Sequence, residues 1–448
     1  MMTVRGLCLL WAVMLSAAFA PGRADLPEVI WGEKIEVASA GGYRGPWRMN
    51  ESDYAYVDDP TVAINAQGVV AVVWADQARK DLFFQLYAPD GTPRLEKPVN
   101  VSRSPRIFSW LPRMLITSSD PIEVYLLWQE IVFSGGSHGG EIFFARSSDG
   151  GQTWSAPRNL SHDIAGSGKG RLTPSYWHNG SLDLARGAEG NLYAAWTDYE
   201  GGLWCSRSTD RGTSFSRPWR VAGDAPPTRG PSLAVDAQGA VYLAWAVGED
   251  QAANLRFARS TDHGRSFGAP RIVGAGPGHT DAPKLAVDRQ GTVHLVYAES
   301  PAGPFERYGI QYTRSHDRGD SFEAPREIAR PHAEQFASMH FPALSVDGQD
   351  DLYIIWELFP RRGSASQGLG FTVSSDAGRT FAPPVVVPGS LDPALGFNGS
   401  QQGLLMRKLA VNQAGAIAVV NSTFKSNAQS RVWLWRGQRH KAPEPLAR

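Results

Sequence analysis

The sequence predicts an all-β fold: a seven-bladed β-propeller of four-stranded antiparallel blades. Three observations carry that expectation. A strand–turn–strand pattern recurs seven times, a Ser-x-Asp-x-Gly turn recurs five times in phase with it, and glycine and proline are spread along the whole chain. With 448 residues, 42% hydrophobic and 20% charged, the chain has ample material for a core. Its 47 Gly and 31 Pro suit many short strands joined by turns. Lys+Arg and Asp+Glu balance at 44 each, which argues against a dedicated nucleic-acid or anionic-membrane binder.

The N-terminus comes first in order. Residues 1–24 read as a secretory signal, with Arg5 as the positive region and an apolar stretch from Leu7 to Ala20. Gly22-Arg23-Ala24 ahead of Asp25 is the expected cleavage site, leaving a secreted or periplasmic chain of net charge −2. Cys8 would leave with the signal and Cys205 would be the sole thiol, so no internal disulfide is expected. No later segment is long and apolar enough to cross a bilayer as a helix. The propeller is expected over 25–438, with 439–448 as a short tail.

The seven copies are clearest at 231–245 (PSLAVDAQGAVYLAW) and 283–297 (PKLAVDRQGTVHLVY). Others stand at 60–74, 112–128, 182–196, 342–356 and 409–421. Each is an apolar strand, a tight turn, and a second strand rich in β-branched and aromatic residues. Trp74, Trp128, Trp196, Trp245, Tyr297, Trp356 and Asn421 end the copies at intervals of 54, 68, 49, 52, 59 and 65 residues. That is near the period of a four-stranded blade.

A third strand follows most copies, then the turn motif Ser-x-Asp-x-Gly-x-(Ser/Thr)-(Phe/Trp), and then a fourth strand. The five turns begin at Ser147, Ser208, Ser260, Ser315 and Ser374. Their Asp suits backbone N–H groups, Gly permits positive φ, and the aromatic can pack back between sheets. The first blade keeps only Pro89-Asp90-Gly91-Thr92. The last copy lacks an outer strand, and the stretch from Gly32 to Ala38 resembles the fourth strands, so the N-terminus is expected to close the ring.

These turns resemble the Asp-box (BNR) repeats of the sialidase-like β-propeller superfamily, over roughly 60–438. The resemblance implies that the turns join third to fourth strands on the face opposite the ligand site, so Asp149, Asp210, Asp262, Asp317 and Asp376 are scaffold. Sialidases of the family have six blades, whereas seven strand pairs here argue for seven. The family also uses three arginines on a substrate carboxylate, a Tyr nucleophile assisted by Glu, and an Asp acid/base. Arg106, Arg229 and Arg407 are candidates for that triad, and Arg106 keeps an Arg-Ile pair. No Tyr stands in 357–448, where the family places its nucleophile.

On the face opposite the turns, two residue sets converge. Asp76, Glu130, Asp198 and Glu299 each lie two residues beyond the second-strand aromatic, and Glu357 lies one beyond. Such a ring would supply a glycosidase's acid and base, or hold Ca²⁺ through oxygen ligands. The alternative is that these carboxylates pair with Arg or cap strand ends. The second set lies in the segments that lead into each blade. It includes Arg44, Trp47, Arg48, Tyr54, Arg106, Trp110, Tyr176, Trp177, His178, Arg229, His279, Asp281, His340, Asn398, Gln401, Gln402 and Arg407. Trp110 and Trp177 suit the apolar face of a sugar, and Arg suits a carboxylate. No zinc-type Cys/His spacing appears, so no cofactor is expected beyond a weak case for Ca²⁺.

The expected function is therefore an exported propeller that binds or processes glycans, with a carbohydrate or glycoconjugate as partner. A non-catalytic scaffold for protein contacts is the alternative. If the protein is an enzyme, it is a sialidase-like glycoside hydrolase or a polysaccharide lyase. The lyase would use Arg229 on a uronate carboxylate and His178 or Tyr176 as base.

Overall fold

In the computed structural model the described residues run from 29 to 440, apart from 133–138, 163–165, 174, 224–225, 249–252, 275–277, 302, 305, 332–334, 362–363, 392–395 and 398–406. The expected signal 1–24 and most of the tail lie outside them, as do Asn398, Gln401 and Gln402. Every element among them is a β-strand. Six antiparallel sheets of four strands follow one another over 57–100, 109–159, 182–222, 228–273, 279–329 and 338–386, here blades one to six. The fold is a seven-bladed β-propeller.

Blade seven joins the two ends of the chain. Its inner strands are Leu409–Val411, Ala416–Lys425 and Gln429–Arg439. The outer edge is taken by Val29–Trp31 and Ile35–Ala40, with Val29 opposite Arg439 and Ile35 opposite Leu434. The single closing strand expected from the sequence is thus split in two, and together its parts cover the eleven-residue edge of Gln429–Arg439. On the inner side the amide of Val62 donates to the Arg407 carbonyl at 3.1 Å, and Asn412 Nδ2 donates to the Asn65 carbonyl at 3.1 Å.

The second-strand aromatics set the packing between blades. Trp128, Trp196, Trp245, Tyr297 and Trp356 are all at most 1% exposed. Each sits in an apolar cluster, as where Tyr242 and Phe257 of blade four meet Leu285 and Leu295 of blade five. Truncating a ring of this size in a close-packed core costs about 3–5 kcal/mol. Blade seven departs from the pattern with Asn421. There Lys408 reaches Asn421 Oδ1 at 3.0 Å and forms a buried ion pair with Glu357 of blade six.

The innermost strands share a device that positions the site. In five of them the ladder breaks at a β-bulge, between Asp58 and Thr61, Trp110 and Arg113, Arg229 and Ser232, Asp281 and Lys284, and His340 and Ala343. Each bulge places one residue at positive φ, namely Asp59, Leu111, Gly230, Ala282 and Phe341, directly before a proline. Proline has no N–H to leave unpaired there, and the bulge turns the preceding side chain away from the ladder.

Candidate functional site

The two faces of the ring differ in kind. On one, the five Ser-x-Asp-x-Gly turns link third to fourth strands, as expected. In the turn at 208–215, Ser208 Oγ donates to Asp210 Oδ1 at 2.7 Å and accepts the Gly212 amide at 2.8 Å. Ser214 donates to Asp210 through its amide and its hydroxyl, at 2.8 and 2.5 Å. Slight burial works against ionisation of Asp210, but these bonds outweigh it and bring its pKa down to about 2. At Asp317 the Ser321 hydroxyl, followed by that of Ser315, holds the carboxyl well below the usual range. Four of the motif aromatics lock the turn to the preceding blade, edge to face. Trp154 meets Phe84, Phe215 meets Phe144, Phe322 meets Phe257 and Phe381 meets Tyr312, at 4.8–5.3 Å. Gly319 sits where a Cβ would lie 2.2 Å from Phe257, so no larger residue fits.

The opposite face, built from second-to-third-strand loops and inter-blade crossovers, carries the candidate residues. A hairpin of Tyr43–Arg44 and Tyr54–Ala55 precedes blade one. The loop between its strands lays Trp47 over Tyr54, Phe108 and Trp110, at ring distances of 6.5, 6.0 and 5.5 Å. Trp47 is 50% exposed, whereas Trp110 is 9% exposed and donates through Nε1 to Gln77 at 2.8 Å. Gln77 in turn donates to Asp58 at 2.6 Å. Thus Trp110 supports a platform and Trp47 presents it. Arg44, Arg48 and Arg106 are exposed on the same segments, Arg106 at a φ of 76°. Lys80 stands 4.9 Å over the Phe108 ring.

Blade three holds a second aromatic pair. Trp177 stacks on Tyr199 at 4.5 Å and 16°, and both are half-buried. Trp177 lies in the hairpin of Lys169–Thr173 and Tyr176–Asn179. Tyr176 and His178 are on that hairpin as well, and their side chains are outside the described set. Burial pushes Lys169, on the facing strand, down to about 8, a residue that no motif in the sequence singled out.

Arg229 and Arg407 are held by protein groups. Arg229 is fully buried, with Nε 3.2 Å from Asp281 Oδ1 and Nη2 2.9 Å from both His279 Nε2 and the Thr280 carbonyl. It also donates to the Gly248 carbonyl. His340 lies 3.8 Å from the other Asp281 oxygen and stacks on Tyr308 at 4.0 Å. Arg407 crosses the axis of the ring from blade seven to blade three, where it meets Asp183 at 3.0 Å and the Leu184 carbonyl at 2.5 Å.

The acidic series divides by local partner. Asp76 accepts the amides of Ala78 and Arg79, both at 3.1 Å, and faces the Arg79 guanidinium. Asp198 accepts the Gly202 amide and Trp204 Nε1, each at 2.7 Å. Glu357 is the buried partner of Lys408. These three fit the capping and pairing role. Glu130 and Glu299 differ, since burial raises both carboxyls. Glu130 accepts from the Ser104 hydroxyl and from Trp128 Nε1 at 3.1 Å, while Asp81 and Glu141 nearby raise it further. Glu327 does the same for Glu299. Among the described residues, no group of three or more His, Cys, Asp or Glu is arranged to hold a metal.

The bulge links these clusters. Asp58, Trp110, Arg229, Asp281 and His340 occupy one equivalent position in five blades, immediately before the positive-φ residue. The signal was present in the sequence as Pro60, Pro112, Pro231, Pro283 and Pro342, each two residues further along.

No protein-family model matches the sequence, and no curated protein matches it. Solved structures do resemble the fold. An ulvan lyase of polysaccharide lyase family PL25, solved bound to -[GlcA(1-4)Rha3S]-, is 12% identical, with a TM-score of 0.56 over 89% of this chain and 95% of its own. A Dyadobacter fermentans protein of unknown function is 13% identical, with a TM-score of 0.51 over 91% and 99%. A Hadza microbial sialidase is 12% identical, with a TM-score of 0.47 over 91% and 96%. At these identities the likeness to the first two speaks to the fold alone.

Proposed function

We propose that this is an exported propeller that binds or processes glycans on the face opposite its Ser-x-Asp-x-Gly turns. The observation that carries the reading is Trp47, half exposed on a stack of Tyr54, Phe108 and Trp110 and flanked along the chain by exposed Arg44 and Arg48, with exposed Arg106 two residues before Phe108. An aromatic face takes the C–H face of a sugar ring, and guanidinium groups take a carboxylate or sulfate in a fixed fork geometry. An anionic glycan satisfies both. The ulvan lyase neighbour, solved with a GlcA-containing chain, supports the same substrate class.

A processing role draws support from Glu130. Its carboxyl is raised by burial, it is bonded by Ser104, and it lies opposite Ser109, one residue from Phe108 and Trp110. A carboxyl whose pKa burial raises, set beside a sugar platform, is shifted in the direction general-acid work requires. The test is mass spectrometry of sialylated, uronate-containing, sulfated and neutral glycans before and after incubation with the protein, alongside array binding of the same set. A new product that Glu130→Gln abolishes would support catalysis. Binding of anionic glycans without a product would support a lectin. An array with no glycan bound and no product would overturn the reading in favour of a protein scaffold.

A further inference from the structure

Four of the five motif turns are latched by an arginine from the blade before. Arg146, Arg207, Arg259 and Arg314, each next to last in its third strand, donate to the carbonyls of Arg211, His263, Arg318 and Ala377 at 2.9, 3.1, 2.8 and 2.6 Å. Each acceptor is the positive-φ residue that follows the Asp of the turn. Arg436 makes the same reach from blade seven to the Pro89 and Asp90 carbonyls of blade one. The turn in blade two is the exception. Leu86 of blade one stands where the latch arginine is found elsewhere, opposite Ala71 as Arg146 is opposite Tyr125. Gly150 keeps the acceptor position at a φ of 74°, but no described residue donates to its carbonyl. Leu86 meets this glycine as hydrocarbon only, since a Cβ on Gly150 would lie 3.9 Å from Leu86 Cδ2.

A groove of about 730 Å³ occupies that junction, on the turn face. Both of its walls depart from the repeat, and both are pinned. The connection from third to fourth strand in blade one lacks the motif turn and is held by Gln85. Its Nε2 donates to the Leu95 carbonyl at 3.1 Å, and its Oε1 accepts the Leu95 amide at 3.2 Å. In blade two the turn between first and second strands runs over 117–123. The Thr117 amide donates to the Glu123 carbonyl at 3.0 Å, and the Glu123 amide donates to Thr117 Oγ1 at 2.9 Å. Ser118 ties the two blades together by accepting the Ala66 amide at 3.0 Å. The lining is mixed: Leu86, Leu95, Val99 and Ile122 give hydrocarbon, and Glu96, Asp120 and Asp149 give carboxylates against Arg94 and Lys97. No aromatic ring lines it, which separates it in kind from the platform on the opposite face.

We propose that this groove docks an extended, arginine-bearing segment of a partner protein, whose guanidinium donates to the Gly150 carbonyl and supplies in trans the latch that the other four turns have in cis. The stem of that arginine lies over Leu86, and its charge is met by Glu96 and Asp120, exposed on the two walls. Arginine suits the place because a long stem with a donor fork makes the same bond at the equivalent turns. The volume lies within the ~300–1,000 Å³ range of ligand sites and leaves room for residues on either side of the arginine. Arg94 and Lys97, exposed on the same rim, select against a run of basic residues.

The test is an array of nonapeptides with a central arginine and varied flanking residues, probed with the full chain, the tightest then measured by fluorescence anisotropy. Exchange of the arginine for citrulline, which keeps the shape and removes the charge, should weaken binding at least tenfold. Leu86→Arg restores the latch within the chain and should weaken the same peptides at least tenfold with no loss in melting temperature. Because Leu86 is buried, the exposed double variant Glu96→Lys, Asp120→Lys provides a second reading, again with at least a tenfold loss expected. The site would be overturned by an array with no arginine peptide bound, by citrulline peptides binding equally well, or by undiminished binding to the double variant or to folded Leu86→Arg. Free arginine binding as tightly as the peptides would overturn the assignment to a partner segment. Glycan binding should be unchanged in both variants, so the outcome is independent of the reading of the opposite face.

Discussion

The two faces of the ring use repetition in opposite ways. On the turn face both backbone and side chains repeat. The Ser-to-Asp bond is 2.7–2.8 Å in all five turns, and the Gly amide to Ser Oγ is 2.7–2.9 Å. On the loop face the backbone repeats, as a bulge at the same place in five blades, while the side chain it presents is Asp, Trp, Arg, Asp or His. A position whose chemistry is held constant is there to lock neighbouring blades. A position whose geometry is held constant while its chemistry varies is free to build a site. The repeated side chains of the turn face should therefore act on stability alone, and those on the loop face should separate into buried supports and exposed presenters.

The largest expected effect tests the ring that both faces share. Deleting 29–40 uncovers the whole edge of Gln429–Arg439 and removes the packing of Val29, Trp31, Ile35 and Val37. The loss is on the order of 5 kcal/mol or more, with aggregation through the bare edge. Thermal melting and light scattering read both, and an unchanged melt would mean that the N-terminal strands are dispensable. Next comes a buried support on the loop face. Asp281→Ala leaves the fully buried Arg229 without its carboxylate, at a cost of about 3–5 kcal/mol by chemical denaturation. A loss below about 1 kcal/mol would show that Arg229 is free to serve a ligand.

A turn-face aspartate should cost less. Asp262→Ala forfeits acceptors for the Arg265 and Ser266 amides and for the Ser260 and Ser266 hydroxyls, about 1–2 kcal/mol, with glycan binding untouched. The same face sets the acid limit. An unfolded Asp titrates near 3.9, and Asp210 in the fold near 2. The stability it contributes is fully present above about pH 4 and is lost as the pH falls through 2. Acid unfolding followed by circular dichroism should begin in that window, and Asp210→Asn should blunt it. An acid limb unaltered in the variant would place the sensitivity elsewhere.

How far the sequence led follows the same division. Ring, blade number, closing segment and turns were legible because each repeats or complements something that repeats. What remained hidden is set by contacts between distant segments. Arg229 reads as a carboxylate binder until Asp281, 52 residues on, is seen to hold it. Arg407 reads likewise until it is found bridged to Asp183, 224 residues away. Trp47, Trp110 and Trp177 look equivalent as crossover tryptophans, and only burial separates the presenter from the support. The bulge prolines were visible at a constant offset, yet their meaning lies in the ladder they interrupt.

The smallest expected change in stability is the most informative one. Trp47 is half exposed and its indole covers rings that remain packed on one another through the Tyr54–Phe108 and Phe108–Trp110 contacts, at 5.5 and 5.3 Å. Trp47→Ala should therefore shift unfolding by no more than about 0.5 kcal/mol, within the range of ordinary surface substitutions. Loss of a stacking surface for a sugar should nevertheless weaken glycan binding at least tenfold. Trp110→Ala should do the reverse in proportion: it removes the support and the Gln77 bond, so stability falls by about 3 kcal/mol and binding falls with it. Measured together by denaturation and by array binding, the pair separates presenter from support. If Trp47→Ala destabilised the protein as much as Trp110→Ala, the loop ahead of blade one would be a structural cap like the turns opposite. Two locking faces would then remain, and the glycan site would have to be sought on blade three, at Trp177 and Tyr199.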